Sequence, residues 1–296
     1  MKTNQERTLN LEPRTLNFEL ERLAGPRRFR PSRFKVQRSG FKVFAAAALC
    51  FAPLLLPSRA AEPLRALLVT GGCCHDYEAQ KKILSEGISA RANVTWTIVH
   101  EGNDRTNQVS LYTNADWAKG YDVVLHNECF GFVTNAAFVE GIVRAHSAGG
   151  VPAVMLHCST HSYRYAGTDE WRKLLGVSSY QHGAKHAFEI INLQPDHPVM
   201  KGFPERWQDF PDELYQLKKT WPDCVPLGRG VSSKEAEQVV VWLNACGKAR
   251  IFGTTLGHSN ETMSDKVYLD LVTRGLLWAC DKLDADGRPK PGYGKK

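Results

Sequence analysis

The sequence predicts an α/β domain: a parallel sheet with helices on both faces, followed by a β-rich C-terminal addition. Three observations carry this. The runs Leu64–Val69, Tyr121–Leu125 and Pro152–Leu156 are apolar almost throughout rather than alternating, as expected of strands buried on both faces of a parallel sheet. Segments of helical period separate them. Beyond Gly176 the pattern changes to short strand-like runs and hairpin turns.

In chain order, Leu64–Val69 reads as the first strand. Glu78–Ala90 reads as a helix with Ile83, Leu84 and Ile88 on one side. Val94–Val99 is β-branched and aromatic, hence a strand. Tyr121–Leu125 is a third strand. Phe138, Val139, Ile142 and Val143 have helical spacing, and Gly149-Gly150 stops that helix. Pro152–Leu156 is a fourth strand. Thr168 can cap a helix whose first turn holds Asp169 and Glu170. Ala187–Leu193, Glu213–Leu217 and Val225–Gly228 read as short strands, and Val239–Leu243 with Arg250–Thr255 as a hairpin turning near Cys246-Gly247-Lys248. Tyr268–Ala279 is an amphipathic closing helix. The Pro-, Gly- and Lys-rich stretch 281–296 predicts a disordered tail. The domain is thus expected at 62–280.

Residues 1–60 read as an export signal with a long basic leader. Val43–Leu56 is an apolar run of signal-peptide length, too short to span a bilayer comfortably. Ser58-Arg59-Ala60 supplies small residues before a cut near Ala60. An anchor that is never cut is the alternative. The net charge of +7 belongs to this leader. It holds 12 of the 38 basic and four of the 31 acidic residues, so 26 basic face 27 acidic in the remainder, a net of −1. The basic balance is therefore no argument for a nucleic-acid partner. Export to the periplasm or beyond is expected, with no stable membrane insertion once the signal is removed. Seven cysteines remain beyond the leader, without a CxxC. Most are expected as buried thiols, with room for one or two bridges.

Three strands end in reactive side chains: Cys73-Cys74-His75-Asp76 after Gly71-Gly72, His126-Asn127-Glu128-Cys129, and His157-Cys158-Ser159-Thr160-His161. In an open α/β sheet, ligands bind outside the carboxyl ends of the strands, so the three point to one shared site. Gly71-Gly72 allows a sharp turn but is no GxGxxG fingerprint. His75 and Asp76 read either as a base or metal ligand with its orienting carboxylate, or as a solvated His beside a helix cap. Glu128 suits a general acid or base if partly buried. His157 or Cys158, depending on register, falls where such folds expose a nucleophile. His157 and His161 share a face only if a helix begins by Ser159, and a metal then becomes an option. His182 and His186 read as surface loop. His258 ends the hairpin's second strand and could reach the crevice.

These pieces resemble the ThuA-like (trehalose-utilisation) family. The matching residues are Thr70–Tyr77, His157–His161, His197-Pro198-Val199-Met200-Lys201-Gly202, Asp212-Glu213-Leu214-Tyr215, and Gly247–Arg250 leading to Thr254–His258. They span 64–280. The resemblance implies a class I glutamine amidotransferase-like, flavodoxin-like fold and a role in bacterial metabolism of trehalose or keto sugars. One departure is informative. The amidotransferase elbow Gly-x-Cys-x-Gly is replaced by Leu156-His157-Cys158-Ser159-Thr160, and the late His-Pro-Glu by His197-Pro198-Val199. A Cys–His–Glu hydrolase is therefore disfavoured, since fold does not fix chemistry.

The resemblance implies an enzyme acting on a sugar or keto-sugar derivative, with a non-catalytic carbohydrate-binding module as the alternative. His157 would be the central base or ligand. Glu128 and Asp76 would be acid–base or orienting groups. Asn127, Ser159, Tyr163, Arg164, Glu213 and His258 would bind substrate. No cofactor is implied with certainty; a divalent metal is an option, with His75 and His161 as ligands. Cys158 is expected to pack inward while His157 faces the crevice.

Overall fold

Five parallel strands form the centre of the computed structural model, which describes residues 61–296. These are β1 (Leu64–Gly72), β2 (Val94–His100), β3 (Val123–Cys129), β4 (Ala153–Leu156) and, late in the chain, β11 (Ala249–Thr254). They lie in the order β2-β1-β3-β4-β11, which is the flavodoxin-like order. The export signal expected over 1–60 lies outside the described residues.

Alternation along β1 decides which helices cover which face. Ala66 and Leu68 join a core with Leu84 and Ile88 of α1 (Tyr77–Ser89) and with Tyr268, Leu271 and Val272 of α5 (Lys266–Ala279). Leu67 and Val69 face the other side, with Val139, Ile142 and Val143 of α2 (Ala136–Ser147) and Trp171 and Leu174 of α3 (Glu170–Leu175). β1, β3 and β4 are buried on both faces, which is why their sequences are continuously apolar, whereas the edge strand β2 is partly exposed.

The expected β-rich addition extends the same sheet. β10 (Gln238–Cys246) pairs antiparallel with β11 as the expected hairpin, and β9 (Val225–Val231), β6 (Glu189–Asn192) and β7 (Arg206–Gln208) continue it to nine strands. β5 (Val177–His182) and β8 (Tyr215–Thr220) form a separate antiparallel pair. A short helix α4 (Asn260–Ser264) precedes α5. β5, β7 and α4 were not legible as elements in the sequence.

The expected disorder of 281–296 is corrected. The Tyr293 carbonyl accepts the Asn93 N–H (3.0 Å), Asn93 Nδ2 donates to the Gly292 carbonyl (3.0 Å), and Leu283 bridges to Pro289. The polar composition hid this order because backbone groups, rather than apolar side chains, make most of these contacts. The cysteines also depart from the expectation of mostly thiols. Cys73–Cys74 and Cys129–Cys158 are disulfides, and Cys224, Cys246 and Cys280 are free.

Candidate metal centre

The carboxyl ends of β1, β3 and β4 open on one pocket, lined by His75, Cys129, Cys158, His161, Arg164 and Glu213 among others. Two of the lining residues, His75 and Glu213, meet His157 and His258 behind the wall, where ligand atoms of the four lie within 4.8 Å of one another.

His157 follows β4 directly and has a positive φ of 41°. A non-glycine residue there is strained, and such strain gathers at functional sites. The sharp turn brings the ring against His75, a residue of the pocket wall, so His157 is the elbow residue rather than Cys158. Its Nδ1 lies 2.6 Å from the Thr255 carbonyl, which can only accept. The proton therefore sits on Nδ1, and Nε2 presents a lone pair. That Nε2 stands 3.1 Å from His75 Nε2, 3.3 Å from the Tyr215 hydroxyl and 3.5 Å from Glu213 Oε2. His75 is held at its other nitrogen by Tyr77 Oη (3.1 Å), and its Nε2 is 3.3 Å from His258 Nδ1. His258 Nδ1 is in turn 3.3 Å from Glu213 Oε1. Asp212 sets the loop that delivers His258: its carboxylate accepts the Gly257 N–H (2.8 Å) and the His258 N–H (3.3 Å).

A tetrahedral ion with bonds of 2.0–2.1 Å places its ligand atoms about 3.3–3.4 Å apart. The His75–His157 and His75–His258 separations (3.1 and 3.3 Å) fall around that value, each Glu213 oxygen approaches one ring at 3.3–3.5 Å, and all four ligand atoms lie within 4.8 Å. Three imidazole nitrogens and one carboxylate, with two of the rings oriented by partners at their far nitrogen, fit a divalent cation of the zinc type. Without the cation the charges are divided among the rings. Burial, then the neighbouring His157 and His258, lower His75 to about 3. Burial would also lower His157, but the Glu213 hydrogen bond and the Asp212 and Glu213 charges outweigh it and raise it. For Glu213, burial favours the neutral acid, yet the His157 and His258 hydrogen bonds prevail and hold it well below the usual carboxylate range.

The other predicted residues divide. Arg164 lines the pocket and donates to the Tyr180 carbonyl (2.7 Å). His161 lines it too, but as a wall: it stacks on Tyr215 with ring centroids 4.0 Å apart and bonds Ser179 Oγ at 2.9 Å. His161 is thus not brought into the four-ligand group. The turn over His157–His161 is 3₁₀ rather than α, so residues four apart do not share a face. Glu128 is fully buried on the α2/α3 side, where it accepts from the Tyr112 hydroxyl (2.9 Å) and the Tyr163 hydroxyl (3.0 Å). Strand alternation turns it away from the crevice, and Tyr163 with it. Asn127, on the opposite face of β3, donates to Gln80 Oε1 (3.2 Å), whose amide reaches the His258 carbonyl (3.3 Å). Ser159 is buried beneath the turn. Asp76 caps α1, accepting the Ala79 N–H (3.1 Å). Cys158 is buried as expected, but bonded to Cys129. His197 accepts the Val199 N–H (3.2 Å) and neighbours Trp278, outside the pocket, so no amidotransferase triad assembles.

Sequence reasoning missed His182, which lies 3.4 Å from Glu213 and stacks on Tyr215. Its place depends on the β5–β8 pairing, which no local pattern announces. Gly71 and Gly72 serve a close approach, though to backbone rather than ligand. A Cβ on Gly71 would meet the Glu101 carbonyl at 2.0 Å, and one on Gly72 the Cys129 carbonyl at 2.3 Å. A larger depression at the opposite end of the strands, around Leu64, Pro152 and Lys282, holds the Arg65–Asp122 pair (2.9 Å). Among the described residues it gathers no comparable donor set.

A family model described as trehalose utilisation matches residues 65–279. Among solved structures, the chain is similar to a ThuA-like protein from Parabacteroides merdae, with TM-score 0.60 and 19% identity over 79% of this chain and 97% of that one. It is also similar to a ThuA-like protein from Bacteroides uniformis, with TM-score 0.56 and 16% identity over 80% and 99%. At these identities the structural likeness shows the fold. No curated protein matches the chain.

Proposed function

The chain belongs to the trehalose-utilisation (ThuA) family, and on that footing we propose that it acts on a sugar or keto-sugar derivative by acid–base chemistry assisted by a divalent metal. The observation that carries this reading is the convergence of His75, His157, His258 and Glu213 on one point beside the pocket. When bound there, the cation would polarise a sugar oxygen and acidify a coordinated water.

The chain's own groups suit the rest. Burial keeps the Tyr215 phenol protonated far above its usual range, and its hydroxyl stands beside His157 Nε2. In this reading it donates a hydrogen bond to a substrate oxygen. His161 and His182 hold the Tyr215 ring by stacking. Burial lowers His161 to about 2, so it stays neutral beside Arg164. At the rim, Phe132 and Tyr165 are exposed by 41% and 55%, with ring centroids 5.3 Å apart. The Arg105 guanidinium lies over Phe132 (5.4 Å) and that of Arg164 over Tyr165 (5.3 Å). Aromatic faces beside cationic donors suit a ligand with an apolar face and many oxygens, as a sugar ring has.

The test is incubation of metal-loaded protein with disaccharides and their keto forms, read by mass. Conversion that disappears in His157→Ala supports the reading. Sugar binding that survives His157→Ala, with no product from any sugar, favours a non-catalytic module. Export is proposed with it, on the basic leader and the apolar run Val43–Leu56. A mature N-terminus near Ala61 by mass spectrometry supports that, and a protein retaining residues 1–40 refutes it.

A further inference from the structure

Four sulfur atoms meet beside the metal centre, and the proposed chemistry does not use them. Cys73 and Cys74 follow β1, Cys129 ends β3, and Cys158 follows His157. Cys73 Sγ lies 3.9 Å from Cys129 Sγ, and the sulfurs of Cys73, Cys74 and Cys129 all lie within 4.8 Å of one another. Cys158 is bonded to Cys129, and both are nearly buried, 6% and 5% exposed. Arg105 donates from Nε to Cys73 Sγ (3.2 Å) and from its terminal nitrogen to Cys74 Sγ (3.7 Å). A disulfide between adjacent residues closes no loop, so constraint of the unfolded chain does not explain Cys73–Cys74.

We propose that these cysteines are a second, soft-cation site. In the reduced protein Cys73, Cys74 and Cys129, with Cys158 as the fourth sulfur, hold a thiophilic cation such as Zn(II), and the two disulfides are the oxidised form of the same site. A tetrahedral ion with Zn–S bonds of 2.3 Å sets its sulfurs about 3.8 Å apart; the Cys73–Cys129 separation is 3.9 Å. The Arg105 guanidinium offsets the negative charge of several thiolates. His75 follows Cys74 directly, so occupancy of the sulfur site also steadies the loop that carries a ligand of the first centre. Interconversion balances as thiol–disulfide exchange. Each disulfide takes two electrons and two protons from a dithiol, which leaves as its own disulfide. The freed thiols then release protons to solvent as sulfur–metal bonds form.

Cobalt(II) separates the two sites, because thiolate ligation gives an intense sulfur-to-cobalt charge-transfer band that imidazole and carboxylate ligation do not. The protein is reduced with a dithiol, freed of it under argon, checked for four additional titratable thiols, and titrated with Co(II) beside the oxidised protein. We expect two cobalt ions per reduced chain with the band, and one per oxidised chain without it. A Cys73→Ser/Cys129→Ser variant should lose the band and keep one cobalt, whereas His157→Ala should lose one cobalt and keep the band. Reduced wild-type protein that shows no band overturns the proposal even if the variants do not fold. An oxidised protein that takes up no cobalt tells against the first centre alone.

Discussion

His157 Nε2 lies 3.1 Å from His75 Nε2, although 82 residues separate them in the chain. With one proton committed to the Thr255 carbonyl at Nδ1, the neutral ring presents its lone pair at Nε2. A cation shared with His258 and Glu213 uses that lone pair. We therefore predict about one divalent metal per chain in oxidised protein, measured by plasma mass spectrometry after gel filtration. His75→Ala and His258→Ala should each lower the occupancy at least tenfold. Full occupancy in both variants would place the metal elsewhere.

The elbow at His157 permits a test that separates strain from ligation. Its positive φ costs any side chain energy, and glycine escapes that cost. Both His157→Gly and His157→Ala should lose the metal. In the metal-free state the glycine variant should be the more stable by about 1 kcal/mol, seen as a higher Tm. An alanine variant as stable as the glycine one would deny the strain.

Asp212 acts through its neighbours. Its carboxylate holds the Gly257 and His258 amides and so sets the position of the His258 ring. Loss of an orienting partner typically costs about 10–100-fold in metal affinity. Asp212→Asn should show that loss in a competition titration with a chelator while keeping the thiol count and the circular dichroism of the parent. Unchanged affinity would reduce Asp212 to a structural role.

Glu128 should matter for stability and not for the site. It is fully buried and accepts from two tyrosine hydroxyls. Glu128→Gln should cost about 1–3 kcal/mol by leaving one of these polar groups poorly matched, while metal occupancy stays that of the parent. A stable variant that no longer binds metal would return Glu128 to the centre.

Asp209 predicts a pH dependence. Burial, then the charge of Asp212, raises its carboxyl from 3.8 to about 8. A raised acid binds its proton more tightly folded than unfolded, so this group favours the folded state at low pH. The contribution fades as pH climbs from about 4 towards 8. Asp209→Asn can still accept from Thr262 (3.0 Å) and the Phe210 N–H (2.7 Å) while remaining neutral. In metal-free protein, denaturant melts at about pH 5 and pH 8 should show the variant gaining on the parent at the higher pH. Equal slopes would contradict the shift.

The parallel core was readable because strands buried on both faces must be continuously apolar, as Leu67–Val69 and Ala153–Leu156 are. Strand ends also announced the site's location: His75, His157, Glu213 and His258 meet there, and Arg164 lines the adjoining pocket. Assigning roles within those clusters failed where one residue of register decides the face. Glu128 points into the core and Cys129, its neighbour, lines the pocket. His161 misled because four residues mean one helical face only in an α-helix, and this turn is 3₁₀. His182 and the sulfur pairings depend on long-range packing that leaves no local pattern.

The most direct measurement is an anomalous-scattering map from crystals of metal-loaded oxidised protein, collected on both sides of the absorption edge of that metal. The expected result is one peak bonded to His75 Nε2, His157 Nε2, His258 Nδ1 and a Glu213 oxygen, absent in His157→Ala. Protein that carries its full complement of metal in solution, yet shows the peak away from these four residues and unchanged in His157→Ala, would contradict the assignment of this pocket as a metal centre.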